Sequence, residues 1–255
     1  MCTSCSTTSG IPKPCSRSSS WALAIWKRAC ASAVAARCTG QPEDQLRGPL
    51  EQLVIDLFVA KTPVREIRLF DNDEFLTHNA FRAPGAPSLE ELREAPKKVD
   101  YLKRVYSRMH RNIVAHDVAL GADNLHLLDG ITFAFLSLDA GDAKRLIVEK
   151  LEAVGAAFVD VGMGLELDDG SLGGILRVTA STPEKRDHVR QRISFSSGAK
   201  DIYASNIQVA DLNALNAVLA VVKWKKIRGF YRDLESEHHC TYTTDGNMLI
   251  NGELR

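Results

Sequence analysis

Between Ile67 and Arg82 the chain reads IRLFDNDEFLTHNAFR, an apolar run that ends in two carboxylates, Asp71 and Asp73. Ile67, Leu69 and Phe70 have the composition of a buried strand. A carboxylate just past the carboxyl end of such a strand faces the crevice where open α/β sheets bind ligands. There it can accept hydrogen bonds from paired hydroxyls such as those of a ribose. Asn79 and Arg82 follow, an amide and a planar guanidinium suited to sugar and phosphate oxygens. Asp and Asn are also ordinary turn residues, so this spacing alone equally describes a surface loop.

Two more groups could act with these. Lys98 heads a segment in which Val99, Leu102, Tyr106 and Met109 recur at helical spacing. A lysine at a helix start beside a phosphate-binding crevice is a mobile point charge, and Lys97 is an equally available alternative. Asp139 terminates Ile131 to Leu138, a near-continuous apolar run of the kind found in the middle of a parallel sheet. A carboxylate there suits a Mg²⁺ ion accompanying phosphates, or alternatively caps the helix expected over Asp142 to Val154.

Asp-x-Asp at 71 and 73, then Asn79, Arg82, Lys98 and Asp139, resembles in order the adenylation core of the ThiF/MoeB/HesA family, relatives of the ubiquitin-activating enzymes. The resemblance runs from about Leu46 to Tyr231. It implies an ATP- and Mg²⁺-dependent adenylylation of the C-terminal carboxylate of a ubiquitin-like or sulfur-carrier protein, with release of pyrophosphate. By that resemblance Asp71 and Asp73 belong to the nucleotide site, with Asp71 on the ribose. Asn79, Arg82 and Lys98 serve the phosphates, and Asp139 holds the metal. Arg82 and Lys98 are then the catalytic pair, since charge moves onto the leaving pyrophosphate. The wording NIQVADLNALNAVLAVVKW, residues 206–224, resembles the family's late helix and brings with it the expectation of a homodimer.

The chain departs from the family at one point. A GxGGxG turn belongs near Arg47 to Gln52, where backbone N–H groups approach phosphate. This chain has RGPLEQ there, with one glycine and a proline that has no N–H to donate. Two other functions therefore stand beside adenylylation. One is a catalytically inactive interaction subunit that keeps the fold. The other is a nicotinamide-dependent oxidoreductase with Asp71 as its ribose acid, which gives Asn79, Arg82 and Lys98 no joint role.

The elements that must position these groups suggest a three-layer, Rossmann-like α/β fold. Its sheet is mainly parallel, with helices on both faces and a C-terminal antiparallel hairpin. Helices are expected over Pro42 to Lys61, Leu89 to Ala95 (Ser88 and Glu91 forming a capping box), Pro183 to Arg192 and Asn206 to Trp224. In the last of these, Leu212, Leu215, Leu219 and Val222 form the apolar stripe. Strands are expected over Ile67 to Phe70, Ile113 to Val118, Ile131 to Leu138 and Ala157 to Val161, the last ending at Gly162-Met163-Gly164. Hairpins should turn at Asp168-Asp169-Gly170 and at Asp245-Gly246.

The composition up to about Gly48 differs from everything after it, and residues 1–41 read as a divergent segment, disordered to about residue 20 and then loosely helical over Trp21 to Arg37. Residues 42–255 read as the adenylation domain. The whole chain has 255 residues, with 32 Lys and Arg against 32 Asp and Glu. That balance argues against a dedicated nucleic-acid binder, which shows a basic face. No run approaches the ~18 apolar residues of a membrane span, and the N-terminus does not read as a secretory signal, so the expectation is a cytoplasmic protein. Five of six cysteines lie within the first 38 residues. Cys2-x-x-Cys5 is half of a zinc pattern without its other half. His238, His239 and Cys240 are adjacent on an expected strand, where neighbours point to opposite faces and cannot easily share one ion. Cys240 is also a candidate thioester-forming nucleophile, on the evidence of a lone cysteine.

Overall fold

The computed structural model describes residues 33–36, 51–80, 85, 87–195 and 209–254. One eight-stranded sheet runs through them in the order β3-β2-β1-β4-β5-β6-β7-β8. The first five strands of that row are parallel: β1 (Ala33–Ala36), β2 (Ile67–Phe70), β3 (Ile113–His116), β4 (Phe133–Leu136) and β5 (Ala157–Asp168). From β5 onward the sheet is antiparallel, through β6 (Ser171–Ser181), β7 (His239–Thr243) and β8 (Met248–Gly252). This is the expected fold class.

The helices are α1 (Glu51–Ala60), α2 (Thr77–Ala80), α3 (Leu89–Arg93), α4 (Lys98–Tyr106), α5 (Asp142–Ala153), α6 (Val189–Arg192) and α7 (Ala210–Ile227). Helices α1, α4 and α7 cover one face, where Val54, Ile55, Val99, Leu102, Ala217 and Trp224 pack on Phe133, Phe135 and Val159. Helix α5 covers the other, with Ile147, Val148 and Leu151 against Ala134, Leu136 and Phe158. Strand β4 is buried on both faces, which is why its sequence, FAFL, carries no alternation. Trp224 is 1% exposed and lies edge-on to Phe135 at 5.8 Å between ring centroids. Burying a side chain of this size is worth roughly 3 kcal/mol.

Several expected elements differ in extent. Ala33–Ala36, inside the stretch expected to be helical, is a strand hydrogen-bonded to β2 on one side and β4 on the other. Pairing on both edges overrides the helix preference of its alanines. The domain boundary expected at residue 41, the RGPL of the departed turn, the first half of the helix from Pro42 and the N-terminal cysteines lie outside the described residues. Strand β5 does not stop at Gly162 but continues to Asp168, because eleven of its residues, from Phe158 on, pair with β6. The β5–β6 hairpin turns at the expected place, with Asp169 and Gly170 both at positive φ, 48° and 80°. That is the backbone of a two-residue primed turn, which matches strand twist.

The charged helix expected over Pro183 to Arg192 is only α6. Met109 is 54% exposed and lies beyond the end of α4, so it is not part of that helix's buried stripe. In α7 the buried stripe is Asn213, Asn216, Ala217, Ala220, Val221 and Trp224, one position round from the expected leucines. The capping box of α3 is present in full. Among the described residues no helix is long and apolar enough to cross a membrane.

Candidate functional site

The chain runs outward from β1 to β2 and β3, then returns to place β4 on the other side of β1. Strand order therefore reverses at β1. In open α/β sheets the ligand crevice opens outside the carboxyl ends of the strands at such a reversal. Asp71 follows β2 directly and Asp139 follows β4 by three residues, so both expected carboxylates stand at that end of the sheet.

Asp71 is 6% exposed, and its Oδ1 accepts from the backbone N–H of Asp73 at 2.8 Å. This bond turns the chain sharply out of β2. His116, ending β3, stacks flat on Phe70, the last residue of β2, with centroids 4.6 Å apart. Burial, followed by the nearby Arg68 charge, lowers the His116 pKa, so this wall of the crevice is held neutral near pH 7.

The next four residues are stitched to the start of α4. Asp73 accepts the backbone N–H of Lys98 on its carbonyl at 2.9 Å. It also accepts the Lys98 ammonium on its Oδ2 at 2.7 Å. Lys97 donates through Nζ to the Asn72 carbonyl at 2.8 Å. Phe75 N–H reaches the Pro96 carbonyl at 2.7 Å, and Glu74 bridges Lys97. Lys98 is thus a buried, ion-paired group and not a solvated helix-start lysine, while Lys97 lies at the rim beside Asp117.

Asn79 is 1% exposed. Its Oδ1 accepts the Leu76 N–H at 2.9 Å, which leaves Nδ2 buried with no acceptor among the described residues. Arg82 lies outside the described residues. Asp139 is exposed and does not cap α5: the cap position is Gly141, and it makes no side-chain bond. The cap alternative is therefore set aside. Among the described residues no three His, Cys, Asp or Glu side chains cluster to hold a metal ion. A lone carboxylate sharing an ion with phosphates needs no such cluster.

Three further groups adjoin these and were not apparent in the sequence. Lys144, in the first turn of α5, donates to the Leu138 carbonyl at 3.2 Å and lies 2.6 Å from Asp160 on β5. The two form a buried ion pair. Burial raises the Asp160 pKa, and Lys144 opposes that rise. Ser137 Oγ and Asn216 Oδ1 are buried without partners among the described residues, although Asn216 Nδ2 donates to the Gly162 carbonyl at 3.1 Å. No spacing rule links positions so far apart in the chain.

Solved structures share this fold. Over 91% of the present chain and 65% of its own, E. coli MccB superimposes with a TM-score of 0.60 at 14% identity. PaaA does so over 91% and 75%, with a TM-score of 0.64 at 16% identity. The chain is similar in fold to both. MccB, a microcin C7 biosynthetic enzyme, has been crystallised with ATP and with N-formylated MccA. At these identities the likeness establishes the fold, and the chain spans 65% of the length of MccB. No family model and no curated protein sequence matches the chain.

Cys240 is the free cysteine among the described residues, and burial pushes its thiol up to about 11. That is the reverse of an activated nucleophile. His238 and His239 are engaged separately, His238 Nδ1 with the Ser236 carbonyl and His239 Nδ1 with Thr179 Oγ1.

Proposed function

We propose that this chain uses ATP to adenylylate a carboxylate on a protein or peptide. The observation that carries the reading is the polar group at the carboxyl end of β2. Asp71, Asp73, Asn79 and Lys98 are gathered there by one loop and one helix start, and a buried amide donor on Asn79 lacks an acceptor among the described residues. A buried, unmet N–H costs about 1–3 kcal/mol, and a sugar or phosphate oxygen of a bound nucleotide would satisfy it. The shared fold with MccB, an enzyme crystallised with ATP, supports the same reading.

In this reading Asp71 accepts the ribose hydroxyls. Lys98 neutralises phosphate charge together with Arg82. Asn79 Nδ2 fixes the orientation of the nucleotide. Asp139 would hold Mg²⁺, which would supply further neutralisation of the phosphates. An oxygen of the acceptor carboxylate bonds to the α-phosphorus while the bond to the bridging oxygen breaks, and pyrophosphate departs with that electron pair. No general base is required, because the attacking carboxylate is already ionised. The acceptor we favour is the C-terminal carboxylate of a ubiquitin-like or sulfur-carrier protein.

Calorimetry of ATP binding with and without Mg²⁺ tests this. Asp71→Ala should weaken binding at least tenfold in both conditions, and Asp139→Ala should remove the gain that Mg²⁺ gives. Absence of ATP binding in the unaltered chain would sink the proposal. It would favour an interaction subunit without nucleotide, the reading that the RGPLEQ sequence supports.

A further inference from the structure

Beyond Asp160, strand β5 outruns its neighbour β4, and at that point β6 places Arg177 opposite Gly162. The guanidinium lies flat across that glycine: its Nη2 is 3.1 Å, and its Cζ and Nε 3.5 Å, from where a Cβ on Gly162 would stand. Gly164, the next residue of β5 on the same side, has none of the described residues within 4 Å of its own Cβ position. Asp160, Gly162 and Gly164 alternate with Phe158 on the face that carries α5. Two bare glycines thus leave an open floor on that face, with one guanidinium spread across it.

Arg177 is half-buried and, among the described residues, makes no hydrogen bond or ion pair. Its charged neighbours are already matched. Asp160 is met by Lys144 at 2.6 Å, and Arg192 by Glu253 at 2.7 Å. His239, two residues from Arg177 by register, binds Thr179. Among the described residues, Lys144, Asp160 and Arg177 together leave one positive charge without a counterpart. Leu136 pairs with Asp160, so Gly162 lies about 4.8 Å sideways and ~6.6 Å forward of the end of β4. That is the mouth of the crevice, beside the Leu138 carbonyl that Lys144 holds.

We propose that Arg177 is an oxyanion-binding residue at the mouth of the crevice, taking either the acceptor's carboxylate or a phosphate of the nucleotide on the open floor of Gly162 and Gly164. A planar guanidinium presents paired donors that match either anion. Naming these two ligands rests on the adenylylation reading; the binding of an oxyanion does not.

The test follows the Arg177 Nε–Hε resonance by heteronuclear NMR, assigned by its loss in Arg177→Lys. The chain is titrated with tri-alanine as free acid, tri-alanine amide, inorganic phosphate, ATP, and chloride at matched ionic strength. A saturable shift with the free acid but not the amide assigns the site to the acceptor carboxylate. A saturable shift with phosphate and ATP alone assigns it to the nucleotide. Arg177→Gln should weaken the responding ligand roughly tenfold, with partial rescue by Arg177→Lys. No saturable shift with any oxyanion, or a shift that chloride reproduces, overturns the proposal. Saturation by phosphate in a chain that does not bind ATP would leave the oxyanion site standing and remove adenylylation.

Discussion

Lys98 and Asp73 form an ion pair 2.7 Å long with side chains only 5% and 10% exposed, and the same two residues are joined again through their backbones. The loop leaving β2 and the helix α4 therefore move as one piece. The proposed ribose carboxylate and the proposed phosphate lysine are held in a fixed relation before any ligand arrives. Such preorganisation keeps the ordering cost out of the binding step.

Removing one partner of this pair strands the other as a buried charge, a loss of about 3–5 kcal/mol. Lys98→Met and Asp73→Leu should each lower the urea midpoint accordingly. The double variant should recover much of the stability while binding no ATP. Equal stability of the single variants and the unaltered chain would show that the pair is solvated and the clamp is not there.

Acidification should destabilise the fold through its buried histidines. Burial lowers the pKa of both His238 and His239, reinforced by Lys223 for the first and by Arg192 and Arg177 for the second. Their folded pKa values lie below the unfolded one, so the unfolded chain takes up protons first. The stability they contribute is complete above pH ~6.5 and is lost as pH falls below it, by at most about 1.4 kcal/mol per pH unit for each histidine. Thermal midpoints between pH 7.5 and 5 should show this fall, and a His238→Gln, His239→Gln double variant should flatten it.

Cys240 should resist alkylation. With its thiol at about 11, the thiolate fraction at pH 8 is roughly two hundred times below that of an ordinary cysteine. Peptide mapping after a timed iodoacetamide pulse should find Cys240 unmodified while an added thiol of ordinary pKa is consumed. Cys240→Ala should leave ATP binding unchanged.

Gly174 is closely packed. A Cβ there would stand 2.9 Å from Leu212 Cδ1 and 3.3 Å from Thr244 Cγ2, while Gly174 exchanges hydrogen bonds with Thr244. Gly174→Ala should cost about 1–3 kcal/mol, read by urea denaturation. Gly164→Ala, with open space at its Cβ, should cost well under 1 kcal/mol apart from the change in backbone entropy.

The sequence carried the site's elements better than its contacts. Ser88 with Glu91, the start of α4 at Lys98 and the strand before Asp71 are all set by neighbours within four residues, so local patterns revealed them. The pairing of Asp73 with Lys98 spans 25 residues, and no local rule expresses it. Ala33–Ala36 misled for the same reason, since its strand character comes from β2 and β4 rather than from its alanines. Gly162 and Gly164 read as a strand end because glycine weakens strands in isolation, whereas here β6 supplies the pairing. In α7 the leucines suggested one buried stripe, but the helix is covered nearly all round and its polar Asn213 and Asn216 are the more deeply buried.

The place of β1 in the strand order also bears on how the protein is made. Val34 pairs with Ala134, a hundred residues further along the chain. A strand synthesised early must wait for one synthesised much later before both its edges are satisfied. Closing so long a loop is slow, and an edge left open meanwhile can pair with another chain. On a ribosome the β5–β6 and β7–β8 hairpins, each built from neighbours in sequence, can form as soon as they emerge. Strand β4 emerges well before β7 and β8, so the parallel strands can close around β1 before the last two strands are made.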